Sequence, residues 1–380
     1  MEDKALDRYT DFSLLIDGKN AFPEILAQID GAKESILINM FIWRDDGIGR
    51  RMAEAVLSAA ERGVKVEISV DRYGVVLERA EECRRSFFHR SLSIGEKIKV
   101  AVLKLLYTTQ GKPIPRAEDS FALYEAILHH PNISVEHERF KADHSKYYVF
   151  DQKTLILGGI NVEDKENGED LQGRVYQDYM VKIEGRTYVD AFLRKLATKE
   201  DASEAYAFVI NRKALPRCFE LESHYVDLIR RAKKDLYITM AYFSPVKSVM
   251  KEIVAAYQRG VRITVMIPER ANFQNATNRK TVKRLMKATD GALQLYFSPK
   301  MVHTKLIATE NEISFGSANV TKKAFVQLDE LNLVVKNESC PFCDSLFEDM
   351  QRNYALSKRI KTAKEIRYNR LIAFFEGFLV

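Results

Sequence analysis

The chain of 380 residues is poor in cysteine, with four, and has a single tryptophan. Thiols at Cys83, Cys218, Cys340 and Cys343 are too few for a stapled secreted scaffold, so a reducing cytoplasm is expected. Cys340 and Cys343 form one C-x-x-C with no second pair and no nearby His, short of the spacing a zinc site uses. Long apolar runs are also missing. None approaches the roughly 18 residues needed to cross a bilayer, so no transmembrane helix is expected. The opening Met-Glu-Asp-Lys-Ala-Leu-Asp is too charged for the apolar region of a secretory signal. With 46% hydrophobic and 29% charged residues, disordered and collagenous classes drop out. What remains is a folded protein with room for two domains or one large composite core.

Net charge is +6, a mild excess that names no partner by itself. Its placement is more informative. Between residues 84 and 116 stand Arg84, Arg85, Arg90, Lys97, Lys99, Lys104, Lys112 and Arg116 against Glu96 alone, a local balance of +7.

The chain is internally doubled. AKESILINMFIW (32–43) is echoed by AKKDLYITMAYF (232–243), and AEAVLSAAERGVKVEISV (53–70) by MKEIVAAYQRGVRITVMI (250–267). Each copy reads as a β-branched apolar run, a helical pattern stopped by Gly63 or Gly260, and a second β run, which is a β-α-β unit. Parallel strands covered by helices follow from that pattern. Further strands are expected at 145–150, 154–158 and 178–183, and at 304–309, 312–316 and 331–335. Helices are expected at 20–33, 187–198, 219–234, 277–289 and 342–367. The halves divide as 1–199 and 200–380, with the polar stretch 198–204 as linker. About 38 extra residues separate the helix-stopping glycine from the motif below in the first copy, and the basic window near 75–130 lies in that gain.

The chemistry-bearing signal is paired. His144-Ser-Lys146 leads to Asp151 and then Gly158-Gly-Ile-Asn161; His303-Thr-Lys305 leads to Glu310 and then Gly316-Ser-Ala-Asn319. Residues i and i+2 of a strand face the same way, so each half presents an imidazole beside an ammonium. A small-residue turn then brings an amide close. Lys146, Lys305, Asn161 and Asn319 can neutralise charge developing on the oxygens of a phosphodiester. Two imidazoles in opposite protonation states can serve as nucleophile and acid without a metal. Neither a cofactor nor a metal is expected.

This set resembles the phospholipase D superfamily, and FIWRDDGIGRRMAEAVLSAAERGVKVEISVDRYG (41–74) looks like its bacterial cardiolipin synthase branch. The resemblance implies an α/β, internally duplicated phospholipase D-like fold, two β-sheet halves flanked by helices with one active site between them. It implies that one His attacks phosphorus while the other protonates the departing alcohol. By the same likeness Asp178 and Glu330 orient the His pair, and Asp151 and Glu310 are structural; Glu310 stands where the family usually has Asp.

The motif gives a reaction type and not a substrate. In the insertion, Phe87, Ile94, Ile98, Ala101 or Val102, and Leu105 recur at helical spacing among cations, which suits a basic amphipathic helix on an anionic bilayer. Arg84, Arg85, Arg90, Lys97 and Lys99 are the candidate membrane-binding cations. The tail SKRIKTAKEIRYNRLIAFFEGFLV (357–380) adds a basic C-terminal helix with an apolar end. The expected activity is a phosphatidyl transferase resembling cardiolipin synthase, peripheral on the inner face of the cell membrane and acting on phosphatidylglycerol. A lipid hydrolase and a nuclease of the same superfamily stand as alternatives.

Overall fold

The computed structural model describes residues 9–82, 86–89, 91–107, 119–169, 175–200, 206–215 and 217–377. The chain forms two compact units, one of Leu15–Leu193 and one of Arg194–Val380 together with the described residues of Met1–Leu14.

In the first unit the apolar run Ser35–Met40 is a strand, Gly47–Glu61 a helix and Lys65–Val70 a second strand parallel to the first. Asp46 starts that helix by accepting the Gly49 amide at 3.1 Å. Gly63, at φ +95°, stops it: its N–H bonds the Ala60 carbonyl at 3.0 Å and the Val64 N–H that of Ala59 at 3.1 Å. Only a glycine takes this left-handed closing position freely. The second unit repeats the strand, helix and parallel strand as Asp235–Met240, Lys247–Gln258 and Arg262–Pro268, but its helix starts after Val246 with no side-chain cap. Gly260, at φ +88°, bonds Tyr257 at 2.9 Å, and Val261 bonds Ala256 at 3.1 Å. Arg62 donates to the carbonyls of Ile29 and Asp30, and Arg259 to those of Ile229 and Arg230. The duplication therefore extends to how the helix is closed at its C-terminus.

The sheets are mixed rather than parallel throughout. In the first, the strands run edge to edge as Phe12–Ile16, Tyr179–Glu184, Thr154–Gly158, Lys146–Phe150, Ser35–Met40, Lys65–Val70 and Ile133–Glu136. Those from Lys146–Phe150 to Tyr179–Glu184 pair antiparallel, because the hairpin at 151–153 is too short for a crossover. Among the described residues the second sheet has nine strands: Cys218–Phe219, Tyr206–Arg212, Glu330–Lys336, Glu312–Gly316, Lys305–Thr309, Asp235–Met240, Arg262–Pro268, Gln294–Ser298 and Lys358–Ile360. Lys146–Phe150 and Lys305–Thr309 are buried along their whole length, as strands covered on both faces must be. In the first unit Ile36, Ile38, Tyr148 and Ile156 pack with Phe22, Ile25, Met52 and Val56 of the helices. On the other face Tyr147 meets Phe192 edge-to-face at 5.0 Å.

Two expectations are corrected. The helix expected at 342–367 ends at Leu356, because Lys358–Ile360 is drawn off as an edge strand antiparallel to Gln294–Ser298. The tail's helix is only Arg370–Glu376. Phe87 and Phe88 do not belong to an amphipathic surface helix. They are buried against Trp43, at ring-centroid distances of 6.4 and 5.3 Å, and the helix of the basic window runs Ile94–Lys104.

Candidate active site

Strand register assembles each motif. Lys146 lies opposite Gly158, and Gly158 opposite Met180, so the ends of three adjacent strands bring His144, Lys146, the Gly-Gly-Ile-Asn turn and Asp178 to one edge of the first sheet. In the second sheet Gly316 lies opposite Asn332, which places Glu330 two residues before that partner, as Asp178 stands two before Met180.

In the first unit Lys146 is fully buried and its ammonium donates to the His144 carbonyl. It also lies 5.2 Å from the centre of the Phe41 ring, and the His144 imidazole meets that ring edge-to-face at 4.7 Å. Phe41 thus holds the imidazole and the ammonium together. Nothing in the motif spacing singled it out, and the duplicated position carries Ala241, so the only signal was its adjacency to the first strand. The Asp178 carboxylate accepts the Tyr179 amide at 2.8 Å and is packed so closely on Gly159 that an added Cβ would lie 2.2 Å from Oδ2. Asp178's backbone is fixed by Asp17, whose carboxylate accepts the Asp178 amide at 3.1 Å and whose own amide donates to the Asp178 carbonyl at 2.9 Å. Asn161 is buried, with no partner for Oδ1 among the described residues.

The second unit repeats the plan with different anchors. Lys305, buried, donates to the His303 carbonyl. Asn319 Oδ1 accepts the Tyr242 amide at 3.1 Å. Glu330 is buried and accepts from the Ser317 hydroxyl, which in turn accepts the Leu331 amide at 2.9 Å. Behind this turn Asn332 donates to Tyr225 Oη at 2.7 Å and to Ser314 Oγ at 3.2 Å.

Asp151 and Glu310 are both engaged by backbone amides. Asp151 accepts the amides of Lys33, Glu34 and Ser35 at 2.9, 2.7 and 2.9 Å; Glu310 accepts those of Lys233, Lys234 and Asp235 at 2.7, 3.3 and 3.2 Å. Burial works to raise both pKa values, but the amide bonds outweigh it and both carboxyls are held below their ordinary values. Each acid ties the motif hairpin to the entry of the neighbouring parallel strand, and the extra methylene of Glu310 is absorbed by the longer contacts. His89 is buried and His224 half-buried, and the loss of solvent lowers both to about 4, which keeps them neutral near pH 7. Cys340 Sγ accepts the Cys343 amide at 3.4 Å as the cap of Pro341–Leu356, and burial pushes the Cys343 thiol up to about 12. The C-x-x-C is a helix start.

Of the candidate membrane cations, Arg84, Arg85 and Arg90 lie outside the described residues. Lys97 and Lys99 are exposed on Ile94–Lys104, together with Ile94, Ile98 and Val102, and Leu105 follows, 84% exposed.

The signature described as "Cardiolipin synthase, PLD-like domain" matches residues 25–198 and again 225–354. The chain belongs to this family. Membership makes it an enzyme of the phospholipase D type, a phosphodiester transferase. Among its relatives it is 24% identical to cardiolipin synthase B of Salmonella typhi over 361 residues, 89% of this chain and 79% of that protein. It is 22% identical to the major cardiolipin synthase ClsA of Bacillus subtilis over 356 residues, 88% of this chain and 66% of the relative's length. The fold is shared with the phosphatidylserine synthase of Haemophilus influenzae, with a TM-score of 0.72 and 14% identity over 98% of this chain and 93% of that one.

Proposed function

We propose that this cardiolipin synthase-family enzyme is a phosphatidyl transferase that forms cardiolipin from phosphatidylglycerol through a phosphohistidine intermediate. The observation that supports this most is the repetition of one His, Lys, Asn and acid set at equivalent strand ends of both sheets. Relatives named cardiolipin synthase support a phospholipid substrate.

In this reading both motifs act on one phosphoryl group. The His144 imidazole nitrogen attacks phosphorus, the bond to the glycerol oxygen breaks, and protonated His303 gives that oxygen its proton. His303, now neutral, takes the proton from a hydroxyl of a second phosphatidylglycerol, whose oxygen attacks phosphorus and releases His144. Lys146, Lys305, Asn161 and Asn319 stabilise the equatorial oxygens, and Asp178 and Glu330 orient the imidazoles. His144 is assigned the attack by likeness to the family. The enzyme works peripherally on the inner face of the cell membrane; no described helix is long and apolar enough to cross one. The exposed Ile94, Ile98 and Leu105 support contact with lipid.

The test is turnover on phosphatidylglycerol vesicles with chromatographic separation of products, beside a plasmid-nicking assay. His144→Ala and His303→Ala should each lower turnover by orders of magnitude with an unchanged circular dichroism spectrum. Phosphorus trapped during turnover should sit on an imidazole. Near-parental activity in either variant, or an intermediate on Ser145 or Thr304, overturns the mechanism. Phosphatidic acid as the sole product supports a hydrolase, and nicking without lipid turnover a nuclease.

A further inference from the structure

The two halves treat the same place differently. After the first strand of each β-α-β repeat stand Arg44 in one and Ser244 in the other, 200 residues apart, and each is followed by that repeat's helix. In the first unit the cations here are matched by protein. Arg44 donates to Glu81 at 2.9 Å and pairs with Glu163; Lys165 donates to Glu81 at 2.7 Å and lies 3.3 Å from Glu163; all four are buried. Glu81 belongs to the helix Arg72–Glu82, which follows the second parallel strand.

In the second unit the helix that follows the second parallel strand, Asn275–Ala288, presents Lys280 and Arg284 instead. With Lys247 and Lys322 they line a cavity of about 690 Å³. Its single acid, Glu222, is engaged by the Ser248 hydroxyl at 2.5 Å. Among the described residues none of the four cations pairs with a carboxylate, and the buried Ser244 Oγ has no hydrogen-bond partner. Where the first half pairs its buried cations with buried acids, the second leaves four exposed ones lining a space of ligand size. Like charges so placed repel, and an anion with several acceptor oxygens would relieve them.

The rim identifies the kind of anion. Ala373 and Gly377 close one side of the cavity, and Ala373 belongs to the helix Arg370–Glu376. That helix is pinned inward by Glu376, which accepts the Thr277 amide at 2.7 Å, while Leu371, Ile372, Phe374 and Phe375 remain exposed, Leu371 at 65%. An apolar face beside a basic cavity matches the layering of a lipid leaflet.

We propose that this cavity, apart from the His, Lys and Asn motifs, holds the phosphoryl headgroup of an anionic phospholipid at the membrane surface, with the Leu371–Phe375 face resting among the same lipids. It is a docking site for the bilayer and does not depend on the catalytic reading. Equilibrium partition onto vesicles tests it without turnover, so either reading can fail alone.

Each cation near an anionic leaflet strengthens partition about fivefold, and screening at physiological salt reduces the combined effect to on the order of fiftyfold. Lys247→Gln, Lys280→Gln, Arg284→Gln and Lys322→Gln together should therefore weaken partition onto phosphatidylglycerol vesicles by that factor and leave phosphatidylcholine vesicles unaffected. The exchange Lys280→Arg with Arg284→Lys, which keeps charge, should retain binding. Leu371→Ser with Phe374→Ser and Phe375→Ser should weaken binding to both vesicle types. Unchanged partition of the quadruple variant onto phosphatidylglycerol overturns the proposal. So does calorimetric binding of glycerol 3-phosphate that the quadruple variant loses while vesicle partition stays intact, since the ligand would then be a soluble phosphorylated anion.

Discussion

Removing the Asp151 carboxylate should cost stability before it costs chemistry. In Asp151→Ala three backbone amides, those of Lys33, Glu34 and Ser35, lose their acceptor. A hydrogen bond to a charged group contributes about 1.5–3 kcal/mol when sheltered, but this carboxylate is partly in water, and water replaces it in the variant. A net of about 2 kcal/mol is expected for the three. Asp151 also sits at φ +50°, a left-handed position that alanine resists more than aspartate or asparagine does, which adds up to about 1 kcal/mol. The total of about 2–3 kcal/mol corresponds to a fall of about 4–12 °C in the unfolding midpoint of a unit this size. Asp151→Asn keeps the backbone preference and one acceptor, and should recover about half. Because the folded carboxyl has its pKa lowered, its stabilisation is fully present above the ordinary value of 3.8 and is lost as pH falls from there through the lower folded value. Urea titrations at pH 7 and pH 3 should therefore show the gap between parent and Asp151→Ala closing at the lower pH. Unchanged stability with abolished turnover would refute the structural assignment, and so would a gap that widens in acid.

Gly159→Ala should displace the Asp178 carboxylate, since the new Cβ would stand 2.2 Å from Oδ2, and turnover should fall at least tenfold with a smaller fall in midpoint; parental turnover would show that Asp178 does not act through this placement. Chelation by EDTA should leave turnover on a short-chain soluble phosphodiester standing, because Lys and Asn side chains supply the charge stabilisation that a metal gives elsewhere, and loss restored by magnesium or zinc would contradict this. Replacing Arg84, Arg85, Arg90, Lys97 and Lys99 by Gln should reduce sedimentation with phosphatidylglycerol vesicles in a salt-sensitive manner, whereas unchanged sedimentation with lost DNA affinity would favour the nuclease alternative.

Much of this molecule is legible in its sequence, for definite reasons. The motif strands are short apolar runs ended by glycine or an acid, and their limits agree with the expected ones within a residue. Gly63 and Gly260 announce helix ends because few other residues adopt that backbone. Other features depended on partners distant in sequence. Phe87 matches a helical spacing with Ile94, but only packing on Trp43 reveals it as core. The end of the helix at Leu356 is decided by a strand partner, Gln294–Ser298, some sixty residues earlier. Phe41 carries no motif, and its place beside His144 arises from the antiparallel pairing of Ser35–Met40 with Lys146–Phe150. The basic cavity required comparing what neutralises Arg44 with what faces Lys280, a contrast visible only in three dimensions.

The acid behind each turn also constrains how the halves can diverge. Gly159 with Asp178, and Ser317 with Glu330, are matched pairs: the first leaves no room for a side chain, and the second uses a hydroxyl to hold a longer acid. Converting Gly159 to Ser alone drives its Cβ into the carboxylate, while converting Ser317 to Gly alone strips Glu330 and the Leu331 amide of a shared partner. The two positions in each half are therefore expected to be coupled, so that exchanging both together costs less than the two single exchanges added.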